Sequence, residues 1–163
     1  MLEQEINRIL NEEGANIIAE IRSLIVSTGA NASGRTSQSL QANVSVNKNK
    51  IGFGISGGAG FEFIERGRGV TKKGSRKGKL KGIIRQWIDD KGITPDEGMS
   101  KDALAYIITR AIHQRGTLLH LLGETREIQS AVLTKKRIDG VIDKVKIEIQ
   151  KDVAEQIANS FKL

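Results

Sequence analysis

Residues 42–66 read ANVSVNKNKIGFGISGGAGFEFIER, and the period of their apolar side chains indicates β-structure in this part of the chain. Apolar side chains alternate with polar residues or glycine across 44–46 and 51–55, which predicts two strands that share one apolar face. The alternation resumes at 61–63 and predicts a third strand. The polar stretch 47–50 and the glycines that follow the second strand predict tight turns. We therefore expect a three-stranded antiparallel meander over 42–66, with one face that helices must cover.

Helical periodicity lies on both sides of this meander. Apolar residues recur at three- and four-residue steps in residues 1–28, which predicts a long N-terminal helix. Gly14 stands in the middle of that pattern, where glycine costs a helix about 1 kcal/mol relative to alanine. The same periodicity over 134–161 predicts a long C-terminal helix that either packs in the core or extends to a neighbouring subunit.

The middle of the chain predicts further helices. Residues 81–116 contain two amphipathic segments, the first with Trp87 as an expected core anchor and the second capped by Ser100. The leucines of 118–122 are apolar enough to be buried. Together these patterns predict one α+β domain, 1–163, in which a small antiparallel β-meander is packed by helices.

Composition excludes several classes of protein. The chain has 163 residues, of which 38% are hydrophobic and 28% charged, as expected for one folded domain with its own core. It has no cysteine, which rules out disulfides and cysteine-ligated metals. The acidic start lacks the pattern of a signal peptide, and the apolar runs are too short to span a bilayer. We expect no membrane partner.

Motifs for catalysis or cofactor binding are weak. Residues 52–57 match G-x-G-x-x-G, but they lie between predicted strands, which favours glycines on the outer face of a hairpin over a dinucleotide site. Residues 69–75 have P-loop spacing without its lysine. His113 and His120 are the two histidines, and their spacing fits no metal motif, so structural or surface roles are favoured. We predict no catalytic residue, no metal ligand and no cofactor.

A basic, glycine-punctuated segment is the strongest functional signal. The net charge is +7, and residues 66–81 contain no acid. Residues 67–80 are predicted to form a flexible loop, either a solvated one or an electrostatic contact surface. As a contact surface, it would take an acidic protein surface or a nucleic acid as its partner, although aromatic residues for stacking on bases are missing from it. The candidate contact residues are Arg35, Arg66, Arg68, Lys72, Lys73, Arg76, Lys77, Lys79 and Lys81.

Four segments together resemble a known family. Residues 34–40 (GRTSQSL) resemble a loop that reads Gly-Arg-Leu-x-x-Ser-Ile, and 61–69 (FEFIERGRG) resemble a Tyr-x-x-Phe-Val-Glu-x-Gly-x-Gly segment. Residues 84–92 resemble a Trp-containing helix with its Lys-Gly-Ile turn, and 105–117 (AYIITRAIHQRGT) a helix that ends in Arg/Lys-Gly-Thr. In this order they are similar to the tail-completion or neck proteins of tailed bacteriophages.

The resemblance implies a role in virus assembly. Such proteins are non-enzymatic subunits that form homo-oligomeric rings between the portal (connector) proteins of the head and the tail proteins. The implied location is the neck or tail of the virion, and the host cytoplasm during assembly. Residues 67–81 would then lie at subunit contacts or face the DNA channel. The chain departs from the family where it lacks a proline-rich stretch after Thr117 and carries a longer C-terminal helix.

Two other functions are compatible with the sequence. The basic segment also suits a nucleic-acid-binding module that acts without a ring. Less strongly, Glu62, Glu65, Asp89 and Asp90 could form a small metal-dependent nuclease site, although no sequence spacing links them.

Overall fold

The computed structural model describes residues 1–47, 50–58, 60–72 and 78–161. These residues adopt the α+β fold class expected from the sequence. The helices are α1 (Leu2–Ser27), α2 (Arg35–Gln38), α3 (Leu80–Asp90), α4 (Lys101–Arg115), α5 (Leu118–Leu122), α6 (Gln129–Val132) and α7 (Lys135–Ser160). The strands are β1 (Gln41–Asn47) and β2 (Lys50–Ser56), and a 3-10 helix spans Phe61–Phe63. The long helices predicted over 1–28 and 134–161 are confirmed.

The two strands form an antiparallel hairpin that packs on α1. Val44 lies opposite Phe53, and Ala42 opposite Ile55, so the apolar side chains share the face that covers the helix. Gly14 permits this close packing, because a Cβ atom there would lie 2.5 Å from the Cβ of Ala42. The glycine that weakened the helix prediction is thus explained by the approach of helix to strand.

The prediction of a third strand in the 42–66 meander is wrong. Residues 61–63 form a 3-10 helix, in which Phe61 N–H donates to Gly58 C=O and Phe63 N–H to Gly60 C=O, at 2.8 and 3.2 Å. The side-chain amide nitrogen of Gln129, Nε2, donates to the Phe61 carbonyl at 2.8 Å. These local and side-chain bonds use backbone groups that a third strand would have needed, so in the described residues the sheet is a two-stranded hairpin.

Helix α1 is the centre of the core. Its buried isoleucines pack against the hairpin, α6 and α7. Polar contacts fix the pairing of α1 with α7: Glu13 binds Arg137 Nε at 2.8 Å and Lys144 Nζ at 3.2 Å, and Glu20 binds Arg137 Nη1 at 2.7 Å. The two helices therefore run antiparallel, with seven residues between contacts on each.

Helices α3 and α4 form a helical hairpin beside this core. They pack on each other and bury Ile88 and Ala105 completely. Helix α4 starts where the sequence predicts, with the Ser100 hydroxyl accepting from Ala103 N–H at 3.1 Å. Lys91 Nζ donates to the Asn31 carbonyl at 2.7 Å and joins the helical hairpin of α3 and α4 to the loop after α1. In the part of the chain described, no helix is long and apolar enough for a membrane span.

Candidate assembly surfaces

The first half of the basic segment is held in place. Arg68 N–H donates to Thr117 Oγ1 at 2.9 Å, and Thr117 N–H donates to the Arg68 carbonyl at 2.8 Å. Thr71 N–H donates to the His113 carbonyl at 3.1 Å, and its hydroxyl lies 2.5 Å from His113 Nδ1. Residues 67–72 are irregular, as predicted, but these bonds fix them against the end of α4 and the start of α5.

Two glycines allow residues 67–72 to pack closely against the junction of α4 and α5. Gly116 has a φ of +85°, and a Cβ atom there would lie 2.8 Å from the Arg68 carbonyl oxygen. Gly67 also has a positive φ, +70°, and a Cβ atom on it would meet Thr117 Oγ1 at 2.3 Å. The two segments therefore touch backbone to backbone, which a side chain at either position would prevent.

The predicted basic residues do not all lie in one place. Arg66, Lys72, Lys79 and Lys81 are exposed, Arg68 is half-buried, and Lys73, Arg76 and Lys77 lie outside the described residues. Arg35 forms a salt bridge with Asp90 and so links α2 to α3. Lys81 Nζ lies 4.0 Å from Asp102. Arg66, Lys72 and Lys79 form no salt bridge within the described ranges, and they remain the best candidates for contact with an acidic partner.

Three of the four acids of the possible nuclease site, Glu65, Asp89 and Asp90, are engaged elsewhere. Burial would raise the pKa of Glu65, but hydrogen bonds from Ser130 and Gln129, including Gln129 N–H at 2.6 Å, hold that pKa below its ordinary value. Lys101 and Arg85 lower the pKa of Asp89. Asp90 pairs with Arg35, and Glu62 is exposed. No three His, Asp or Glu side chains among the described residues are arranged to hold a metal ion.

An apolar groove lies between α3, α4 and α5. We call it the α5 groove; its volume is about 700 Å³, and its lining includes Phe63, Ile84, Trp87, Ile112, Leu118, Leu119 and Leu121, with Arg115 and Arg126 beside them. The expectation that the leucines of 118–122 are buried is wrong, since Leu118 is 70% exposed and Leu121 54%. Helix α5 has only five residues, bounded by Gly116 and Gly123, and presents leucine on several sides.

A second apolar surface lies at the end of α7. Residues 153–161, here called the α7 tail, are all exposed. Val153, Ile157 and Phe161 are spaced by four residues, which places them along one helical face. The Glu13–Lys144 and Glu20–Arg137 contacts set the register, which puts the first residue of α1 opposite about residue 155. The end of α7 therefore runs past α1, and the described structure provides nothing to cover its apolar face.

A third apolar surface, the α7–β2 groove, follows the middle of α7. It has a volume of about 500 Å³ and is lined by residues that include Ile51, Phe53, Ile55, Ile138 and Ile142. The cations at this groove are already bound, Arg137 to Glu13 and Glu20 and Lys146 to Asp143. Among the described residues that line this groove, Arg137 and Lys146 are therefore both paired with carboxylates of the same chain.

Comparisons with known proteins gave no relative: the sequence matched no protein-family model and no curated protein, and the fold matched no solved structure.

Proposed function

We propose that the chain is a structural subunit of a tailed bacteriophage, assembled as a homo-oligomeric ring in the head–tail neck or as a tail-completion ring. Its partners would be copies of itself, the portal or connector proteins and the tail proteins. The observation that carries the proposal is the exposure of two apolar surfaces, the α5 groove and the α7 tail. Soluble monomers rarely leave large contiguous apolar patches open to water, whereas subunits of an assembly cover them with neighbours.

The positions of the resembling segments support this proposal. The segments 61–69 and 105–117 meet through the hydrogen bonds between Arg68 and Thr117. The segments 34–40 and 84–92 meet through the salt bridge of Arg35 and Asp90. Residues that carry the resemblance in sequence are thus paired in space, which is expected if they form one structural unit.

A nucleic-acid-binding module is the second candidate. It is favoured by Arg66, Lys72 and Lys79, which are exposed and form no salt bridge in the described ranges, and by the net charge of +7. Contacts from these cations to phosphates would release counterions, so binding would weaken steeply as salt rises. In a ring with a DNA channel the same residues could face the channel, but a module of this kind would need no ring.

Electron microscopy and native mass spectrometry of the purified chain, alone and with portal and tail proteins, test the proposal. We expect closed rings, or binding to one of those proteins, that withstand moderate salt. The triple change Arg66→Glu, Lys72→Glu, Lys79→Glu tests the second candidate, because it should abolish DNA binding by a nucleic-acid module. The ring proposal would be overturned if the chain stayed monomeric in the presence of portal and tail proteins and bound duplex DNA in a salt-dependent manner.

A further inference from the structure

We infer that the free chain forms a two-fold dimer, in which the α7 helices of two copies pack antiparallel along one apolar seam. The partner is a second copy of this chain, and the α7 tail of each copy lies in the α7–β2 groove of the other. Such a pair goes beyond the proposed function, since it neither requires a ring nor forms one.

A nearly straight stripe runs along α7. We call it the α7 stripe, and its members are Ile138, Ile142, Lys146, Ile149, Val153 and Ile157. At about 100° per residue these six positions lie within an arc of about 100°. The steps of four and three residues stay close to the period of the helix, so the stripe runs nearly parallel to the helix axis. A second long helix can therefore contact it over its full length.

Most of this stripe is open to water. Ile138 and Ile157, at its two ends, are 48% and 52% exposed. Val141 and Val145, which are buried near α1, are turned from the stripe by about a quarter of a turn. The first half of the stripe forms one wall of the α7–β2 groove. Its second half is the ridge of the α7 tail, which the described residues leave uncovered.

The spacing of the stripe is the same in both directions. Read from either end, its steps are four, four, three, four and four residues. A two-fold axis midway along the stripe therefore places Ile138 of one copy opposite Ile157 of the other, and Ile142 opposite Val153. This match selects a second copy as the occupant of the α7–β2 groove, because the same symmetry fills both open grooves and covers both exposed tails.

Charges on the stripe are compatible with this pairing. Three charged residues lie within its arc, Lys135, Asp139 and Lys146. Lys135 Nζ binds Asp139 at 2.6 Å, and Lys146 Nζ binds Asp143 at 3.3 Å. The seam therefore brings no unpaired charge between the copies, and the aliphatic stem of Lys146 can cover Ile149 of the other copy while its ammonium stays at the edge.

The symmetry of the contact limits what it can build. A two-fold contact uses the same surface on both copies, so it makes closed pairs and does not continue from pair to pair. A contact made mainly by one pair of helices is also small among protein interfaces. We therefore expect a dimer that dissociates on dilution and covers the α7 stripe of the free chain.

Cysteine crosslinking tests the register, because the chain has no cysteine. The Ile138→Cys and Ile157→Cys variants, mixed in equal amounts and oxidised, should give a disulfide-linked dimer with one chain of each kind. Each variant alone should crosslink poorly, because two copies of one position would lie about 29 Å apart along the seam. The control mixes Ile138→Cys with Ala154→Cys, whose cysteine is exposed but outside the arc, and it should crosslink less. Self-crosslinking of either variant at the yield of the mixture overturns the inference.

Two glutamate variants test the contact without oxidation. Val153→Glu puts a charge in the stripe, whereas Ala154→Glu puts the same charge one residue further on and outside the arc; both positions are exposed. Sedimentation velocity at several concentrations should show a dimer for wild type and for Ala154→Glu. Val153→Glu should raise the dissociation constant at least tenfold, while circular dichroism shows an unchanged fold. Equal dissociation constants for the two variants would show that the stripe is not the contact.

Ring formation is a separate readout. If wild type stays monomeric at every concentration but forms rings with portal and tail proteins, the dimer is wrong and the proposed function stands. If the dimer forms with the expected crosslinks but no ring appears with those proteins, the ring is wrong and the dimer stands.

Discussion

Helices α1 and α5 carry similar aliphatic side chains in opposite surroundings. Ile21 of α1 is fully buried, whereas Leu121 of α5 is 54% exposed. Helix α1 has 26 residues and is covered by the hairpin, α6 and α7, while α5 has five residues and borders an open groove. Apolar content alone therefore does not define the core. In this chain, the residues around α1 form the core, and those around α5 leave apolar side chains exposed to solvent.

The largest expected effect comes from emptying the core beside α1. Ile21→Ala should lower the free energy of unfolding by about 2–5 kcal/mol, because it deletes buried methyl groups and leaves a cavity. Leu121→Ala is the matched change in the α5 groove and should cost less than about 0.5 kcal/mol in the isolated monomer. Urea unfolding of dilute monomer measures both values. Equal losses in the two variants would show that the α5 leucines belong to the folding core.

The next largest effect is expected at Gly14, where α1 packs against the β-hairpin. Gly14→Ala gains helix propensity worth about 1 kcal/mol, but its Cβ would lie 2.5 Å from that of Ala42. We expect the clash to dominate and the variant to be less stable by about 1–3 kcal/mol, as is usual for overpacked sites.

The partner change tests the cause of that loss. Adding Ala42→Gly to the Gly14→Ala variant removes the methyl group that clashes, so the double variant should regain part of the lost stability despite a weaker strand. Thermal unfolding of the single and double variants gives the coupling energy. A double variant that shows simple addition of two losses would place the strain elsewhere.

Much of the fold follows from local periodicity. Helices α1 and α7 and the two strands were predictable, because amphipathic patterns with periods of 3.6 and 2 each need one covered face. The prediction of a third strand was wrong because local bonds to Gly58 and Gly60, and a side-chain bond from Gln129, 68 residues beyond Phe61, use its backbone groups. A partner so distant in sequence leaves no trace in the local pattern of 61–63.

The candidate site was predictable only in part. The basic segment was visible in the sequence, but the salt bridge between Arg35 and Asp90 was not, because it joins residues 55 positions apart. The leucines of 118–122 and the stripe within 153–161 were visible as apolar patterns, yet their exposure depends on what the remaining chain covers. An apolar cluster on a very short helix between two glycines was the available signal for an exposed surface.

Acid should weaken the pairing of α1 with α7. Burial would raise the pKa of Glu13, but the bonds from Arg137 and Lys144 hold that pKa below its ordinary value of about 4.5. A carboxylate with a lowered folded pKa contributes stability above its ordinary pKa, and this contribution is lost as pH falls through the folded value. Glu13→Gln should therefore cost about 1–2 kcal/mol at pH 7 and much less at pH 3.

Urea unfolding across that pH range measures the difference between wild type and the Glu13→Gln variant. Glu12→Gln is the control: Glu12 is exposed and, among the residues that the structure describes, forms a salt bridge with Arg8 alone, so the change should cost less than about 0.5 kcal/mol. A cost for Glu13→Gln that stays constant from pH 7 to pH 3 would show that the loss comes from packing and not from the charge of Glu13.

The smallest expected effects come from two helix caps, and they test whether the core around α1 and the region of α3 and α4 unfold together. Ser100 caps α4 by accepting from Ala103 N–H at 3.1 Å, and Thr134 caps α7 by accepting from Arg137 N–H at 3.2 Å. Each change to alanine should cost about 1 kcal/mol, or roughly a fivefold rise in hydrogen exchange where opening limits it. Because α7 packs on α1 but α4 packs mainly on α3, Thr134→Ala should speed exchange in both α7 and α1, whereas Ser100→Ala should speed it in α3 and α4 alone. Faster exchange in α1 of the Ser100→Ala variant would mean that the core and the groove region open as one unit.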